Sequence, residues 1–166
     1  MKELFQGRPF GFAPRPLLAF LAVGLGSGVT LLDLMAYFGW GARDTNGYVV
    51  GAYWLAIITA IVAAFAALAA LAEFVDVLDD ERGLARLDLA AAVIGFFVYA
   101  GTAALRSTEV GAAAASPAPF LGAIAGLLIL LVDAVVAANL YAAREWEELE
   151  EEPTRERHPR RRAAGR

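Results

Sequence analysis

Four long apolar runs organise the chain: Leu17–Phe38, Tyr48–Ala72, Leu87–Leu105 and Phe120–Tyr141. Each is close to the ~20 residues that a helix rising 1.5 Å per residue needs to cross ~30 Å of hydrocarbon. Strands could not satisfy their backbone groups in lipid, so the runs predict helices despite their Val, Ile and Phe content. Pro14 and Pro16 suit the first turn of the first helix. Gly39, Gly41 and the pair Asn46-Gly47 mark the first turn between helices. Arg106–Pro119 is a loop of small residues with Pro117 and Pro119 before the fourth helix. The first run is too long for a signal peptide, contains Asp33 and ends on no small-residue cleavage site, so it is expected to be retained. No internal repeat is legible: Leu32-Asp33 and Val132-Asp133 look alike, but two positions are too few.

Composition agrees with the pattern. The 166 residues are 59% hydrophobic and 19% charged, greasier than a soluble globular domain. Between residues 17 and 72 and between 89 and 143 the charges are Asp33, Arg43, Asp44, Arg106, Glu109 and Asp133. This excludes a soluble enzyme, a disordered chain and a nucleic-acid-binding domain. The fold class expected is all-α, a four-helix transmembrane bundle: a cytoplasmic segment 1–15, a membrane domain 16–142 and a short charged cytoplasmic tail 143–166. In that tail Arg144–Leu149 continues helix four, Pro153 ends it, and the rest is largely disordered.

Orientation follows from Lys and Arg. Lys2, Arg8, Arg15, Arg82, Arg86 and the seven tail arginines lie on one side, and Arg43 and Arg106 on the other. Both termini are therefore expected in the cytoplasm, and the chain in the inner (cytoplasmic) membrane. Trp40, Tyr48, Tyr53 and Trp54 cluster at the outer boundary, where amphipathic rings favour the headgroups. Small residues mark packing faces, Gly24-x-x-x-Gly28 in helix one and Gly122-x-x-x-Gly126 in helix four, either within the bundle or between chains.

Chemistry is sparse. There is no Cys, and the one His is His158 in the tail. Haem, iron–sulfur and thiolate chemistry lack their usual ligands, and no cofactor or metal is expected. Asp79-Asp80-Glu81 does not have the spacing of a calcium loop and reads as a solvated turn. Arg160-Arg161-Arg162 is a topology determinant that could also touch anionic lipid. No nucleophile–base pair or phosphate loop is found, so the chain is not expected to be an enzyme.

Intramembrane carboxylates are costly and become the candidate site. Asp33 lies in the outer third, level with Tyr53, Thr59, Tyr99 and Thr102, with Arg106 above; it could accept from the hydroxyls or pair with Arg106. Asp133 lies ~12 Å deeper toward the cytoplasm by helical rise, with Asn139, Glu73, Asp76, Asp88 and Arg15 nearer the cytoplasmic mouth. Asp33 is expected to be a satisfied structural residue. Asp133 is expected to be partly hydrated, a partner of Arg15 or Asn139, and more tolerant of substitution. A staggered acidic route Asp33–Asp133–Glu73 is the competing reading.

The stretch Arg15-Pro16-Leu17-Leu18-Ala19-Phe20-Leu21-Ala22-Val23-Gly24-Leu25, followed by Leu32-Asp33-Leu34, resembles the bacterial membrane family called domain of unknown function 2231. Members typically open with His-Pro-x-x-Val-His-Phe-Pro-Ile-Gly-Leu-like and Phe-Asp-Leu-Leu-like stretches. Pro16, Gly24, Leu25 and Asp33 match. Ala70-Leu71-Ala72-Glu73-Phe74 is similar to the family's Gly-x-x-Asp-Trp-like end of helix two. Ala137-Ala138-Asn139-Leu140-Tyr141 is similar to its end of helix four. The likeness covers most of residues 8–142. Both family histidines are replaced here, by Arg15 and Phe20, so no haem or metal role carries over. Relatives joined to Rieske iron–sulfur domains imply a place in redox membrane complexes.

Two functions stay open at this point. One is a non-catalytic accessory or structural subunit of a larger membrane redox assembly, in contact with the lipid bilayer and with other membrane subunits or a second copy. The alternative is a proton or small-cation transporter or channel using the intramembrane carboxylates.

Overall fold

The computed structural model describes residues 14–75, 77 and 82–151, with side chains to 141. Among the described residues the secondary structure is helical: α1 Pro14–Tyr37, α2 Gly47–Phe74, α3 Arg82–Arg106 and α4 Pro117–Glu151. All four are long and apolar enough to cross a membrane. They run longer than the apolar runs alone predict. Arg82–Arg86, expected in a loop, form the first turn of α3, and α4 continues ten residues past Tyr141. Hydropathy marks only the part that must lie in hydrocarbon, and a helix can continue into water beyond it. Pro14, Pro117 and Pro119 sit in first turns, where a missing N–H costs nothing. Asp76, Asp79–Glu81, His158 and the tail arginines from Arg155 onward lie outside the described residues.

The helices pack as a ring, α1 on α2, α2 on α3, α3 on α4 and α4 on α1. Successive helices are antiparallel, so α1 begins at the end of the bundle where α4 finishes. That end is called proximal below, and the opposite end distal. Buried positions in α1 are 15, 19, 22, 26, 29, 33 and 36, steps of four and three that average 3.5 and favour left-handed helix packing. The first six recur in α3 as 88, 92, 95, 99, 102 and 106. The two hairpins thus repeat in burial though not in residue identity.

The interior is built of small side chains. Among the described residues, sixteen of the twenty-three buried hydrophobics are alanine, while Leu17, Phe20, Leu31, Phe65, Phe97 and Leu128 face outward. In water that surface would be an aggregation hazard. In lipid the tails are as apolar as leucine, so close backbone approach and dispersion hold the helices instead. At the distal end, Asn46 joins the two loops. Its Oδ1 accepts from the Tyr48 N–H at 3.0 Å and so caps α2. Its Nδ2 donates to the carbonyls of Trp40 and Ala113, at 2.8 and 3.0 Å. Gly41, with φ of 105°, gives the side chain room.

Candidate functional site

Two ion clusters are buried inside the bundle, one near each end. In the distal cluster Arg106, the last residue of α3, meets Asp33 of α1. Nη1 donates to Oδ1 at 2.6 Å and Nη2 to Oδ2 at 2.5 Å. Nη2 also donates to the Pro119 carbonyl of α4 at 3.0 Å. The fork geometry suits a guanidinium on a carboxylate, and both side chains are buried.

In the proximal cluster Arg15, on the first turn of α1, takes two carboxylates. Nε and Nη2 donate to Asp88 of α3 at 3.0 and 2.8 Å. Nη1 donates to Asp133 of α4 at 3.2 Å, and Nη2 also binds Asp133. Arg15 and Asp133 are fully buried and Asp88 is 3% exposed. Ala19, Ala134 and Ala137 pack together at this level.

Between the clusters the axis is filled. A methyl group on Gly26 would collide with the Tyr99 hydroxyl, one on Gly126 would sit 2.7 Å from the Tyr99 ring, and one on Gly95 2.9 Å from Leu130. The Tyr99 hydroxyl donates to the Ala123 carbonyl at 3.3 Å.

Several expectations are corrected by this geometry. Of the two arrangements open to Asp33, the structure has the pairing with Arg106, while hydroxyls at its depth bond backbone: Thr59 to the Leu55 carbonyl and Thr102 to that of Tyr99. Tyr53 packs edge-on to Trp54. Asp133 pairs with Arg15 as anticipated, but it is buried rather than hydrated, because α1 and α3 close over it. Asn139 is exposed and donates to the Val135 carbonyl, not to Asp133. Glu73 accepts from the Tyr141 hydroxyl, so the three acids of the imagined route stand in three separate bonded groups. Of the packing glycines, Gly28 abuts Leu55, Gly122 abuts Thr102 and Gly126 abuts Tyr99, whereas Gly24 faces open space. The α1 glycine against Tyr99 is Gly26, which the Gly-x-x-x-Gly spacing passes over.

Asp88 is the site residue to which sequence reasoning, placing it at the cytoplasmic mouth, gave no role. It stands eighteen residues before Arg106 on the same face of α3, as Arg15 does before Asp33 on α1, and that shared spacing was its one signal.

The fold and clusters define an all-α bundle of four helices of membrane-spanning length, tied internally by arginine–aspartate bonds. No family model, curated protein or solved structure matches the chain.

Proposed function

We propose that the chain is a non-catalytic, multi-pass protein of the cytoplasmic membrane, both termini in the cytoplasm, serving as an accessory or structural subunit of a larger membrane assembly. The observation that carries this reading is the use of its intramembrane charges. Asp33, Asp88, Asp133, Arg15 and Arg106 bond one another inside the bundle and bind its helices together. The outer face is left to lipid and neighbours. It includes a groove of about 440 Å³ between α2 and α3, lined by Ala60, Ala64, Ala100 and Ala103 among larger residues. The resemblance quoted above, carried by Pro16, Gly24, Leu25 and Asp33, points the same way, toward redox complexes. Purification in mild detergent followed by native electrophoresis tests it. A larger complex with reproducible partner subunits is expected, and a lone ~18 kDa species would refute it.

A second reading, a proton or small-cation carrier, draws on the two carboxylates that share Arg15. It requires the layer of Tyr99, Leu130 and the facing glycines to open. Reconstituted vesicles are expected to show no flux above empty ones, and a flux abolished by Asp133→Asn would replace the first reading with this one.

A further inference from the structure

The two clusters are built alike but their charges do not balance alike. Each has a buried guanidinium at one end of the bundle, bonded across the axis from α1 to α3. The distal cluster is neutral, with one arginine and one aspartate. The proximal cluster sets two aspartates on one arginine, and Arg15 N–H groups reach all four carboxylate oxygens. Each packed element contributes to its surroundings. From α1 comes Arg15. From α3 comes Asp88, with Arg82 and Arg86 exposed nearer the proximal face. From α2 comes Glu73, bonded by Tyr141 of α4. Among the described residues, Arg15 is the cation hydrogen-bonded to Asp88 and Asp133. Among the described residues one negative charge is therefore in excess, at a site with almost no exposure to water, where an uncompensated charge is strongly unfavourable.

A proton removes that charge without needing room. A hydrated metal ion would need space, and alanines close the site. We propose that the Arg15–Asp88–Asp133 cluster is a proton-binding site, holding one exchangeable proton on its carboxylate pair. With the proton bound, the cluster is neutral and α4 is tied to α1 and α3. Without it, the excess charge loosens α4. The site loads from the proximal side: Arg15 is the second residue of α1 and Asp88 lies in the second turn of α3, while Leu130 and Tyr99 fill the axis toward the distal side. The bundle thus responds to pH at the end where α1 begins. This stands whether the protein is a subunit or a carrier, since it requires binding and not passage.

Infrared difference spectroscopy of the full chain in lipid nanodiscs, titrated with alkali, tests the proposal. The carbonyl stretch of a protonated carboxylic acid should be present near neutral pH, amount to one group per chain and vanish as pH rises. It should be lost in Asp133→Asn and in Asp88→Asn, each of which leaves one carboxylate on one arginine. It should persist in Asp33→Asn and Glu73→Gln. The wild-type melting temperature should fall as pH rises, because the folded state binds the extra proton, and this slope should flatten in Asp133→Asn. If an Asn variant does not fold, the wild-type titration and the two control variants decide alone. A wild-type spectrum without a titrating carboxyl band, or a band that survives in both Asp88→Asn and Asp133→Asn or disappears in Glu73→Gln, overturns the proposal.

Discussion

Arg15 and Asp33 share one face of α1, eighteen residues apart, and each is bonded by α3, the helix diagonally across the bundle. Eighteen residues are five full turns and ~27 Å, nearly the ~30 Å of a hydrocarbon layer. The partners Asp88 and Arg106 are also eighteen apart, and both bonds join residues separated by 73 in sequence. The charge order is reversed between the helices. A slip of α1 along α3, or a rotation of either, would break both bonds at once. Pairing α1 with a copy of itself would set arginine on arginine and aspartate on aspartate. The reversed order is thus a device for register and partner choice, the best-attested use of buried charge.

The distal pair gives the direct test. Removing one partner of a buried pair strands the other, which typically costs about 3–5 kcal/mol. Asp33→Leu and Arg106→Leu should each lower stability by that order, and the exchange Asp33→Arg with Arg106→Asp should recover a large part of it. Chemical unfolding in one detergent, analysed as a double-mutant cycle, measures the coupling. Additive single effects would refute a direct bond.

Packing against Tyr99 separates two glycines that look equivalent in sequence. Gly24→Leu should leave stability within about 0.5 kcal/mol, the usual range for surface positions. Gly26→Ala should lower it by about 1–3 kcal/mol, the cost of overfilling a tight contact. Because the obstruction is the Tyr99 hydroxyl, Tyr99→Phe should restore part of the loss. Thermal melts of the four variants check this.

Orientation can be read by labelling. Thr45 and Thr108 are exposed in the distal loops, which the Lys and Arg count predicts to lie outside. Cysteines at either position should react with an impermeant reagent in intact cells, and one at Thr154 only after permeabilisation. Asn46 would be a poor reporter, since its side chain is buried and bonds both loops. Labelling of Thr154→Cys in intact cells would reverse the assignment.

The four spans were legible because lipid imposes one simple demand, a run of apolar residues long enough to cross it. The option of pairing Asp33 with Arg106 was legible from depth along the helices. What depth could not supply was azimuth. Gly24 and Gly26 differ by two residues in depth but lie on opposite sides of α1, and only the 3.5-residue phase of burial separates them. Asp88 was given no role because the third apolar run starts at Leu87, which leaves Asp88 at the very mouth of the helix. Because α3 begins at Arg82, Asp88 lies in its second turn and inside the bundle. Asp133 was judged hydrated for the same reason: distance from the helix end says nothing of the helices that cover it.

The proximal cluster orders its own substitutions by counting what each leaves behind. Arg15→Leu strands a buried carboxylate and the carboxylic acid beside it, leaving all four oxygens without their N–H donors, and should be the most damaging single change among the buried charges, beyond the about 3–5 kcal/mol of one broken pair. Asp33→Leu strands one guanidinium and comes next. Asp133→Leu leaves Arg15 on Asp88, a neutral pair with two N–H bonds, so its loss should be smallest, about 1–2 kcal/mol for the bonds and packing forfeited. A milder effect is therefore expected of Asp133, through a remaining partner and not through hydration. Acid should separate the cases further. Protonating the carboxylate that remains charged neutralises the stranded pair, so Arg15→Leu should regain stability as pH falls toward the carboxylate range of about 4. Acid offers no such relief to the stranded Arg106 of Asp33→Leu. Unfolding midpoints of the three variants at neutral and acidic pH provide the measurement. An Arg15→Leu protein that is no weaker than Asp133→Leu at neutral pH would mean that Arg15 does not hold the cluster together.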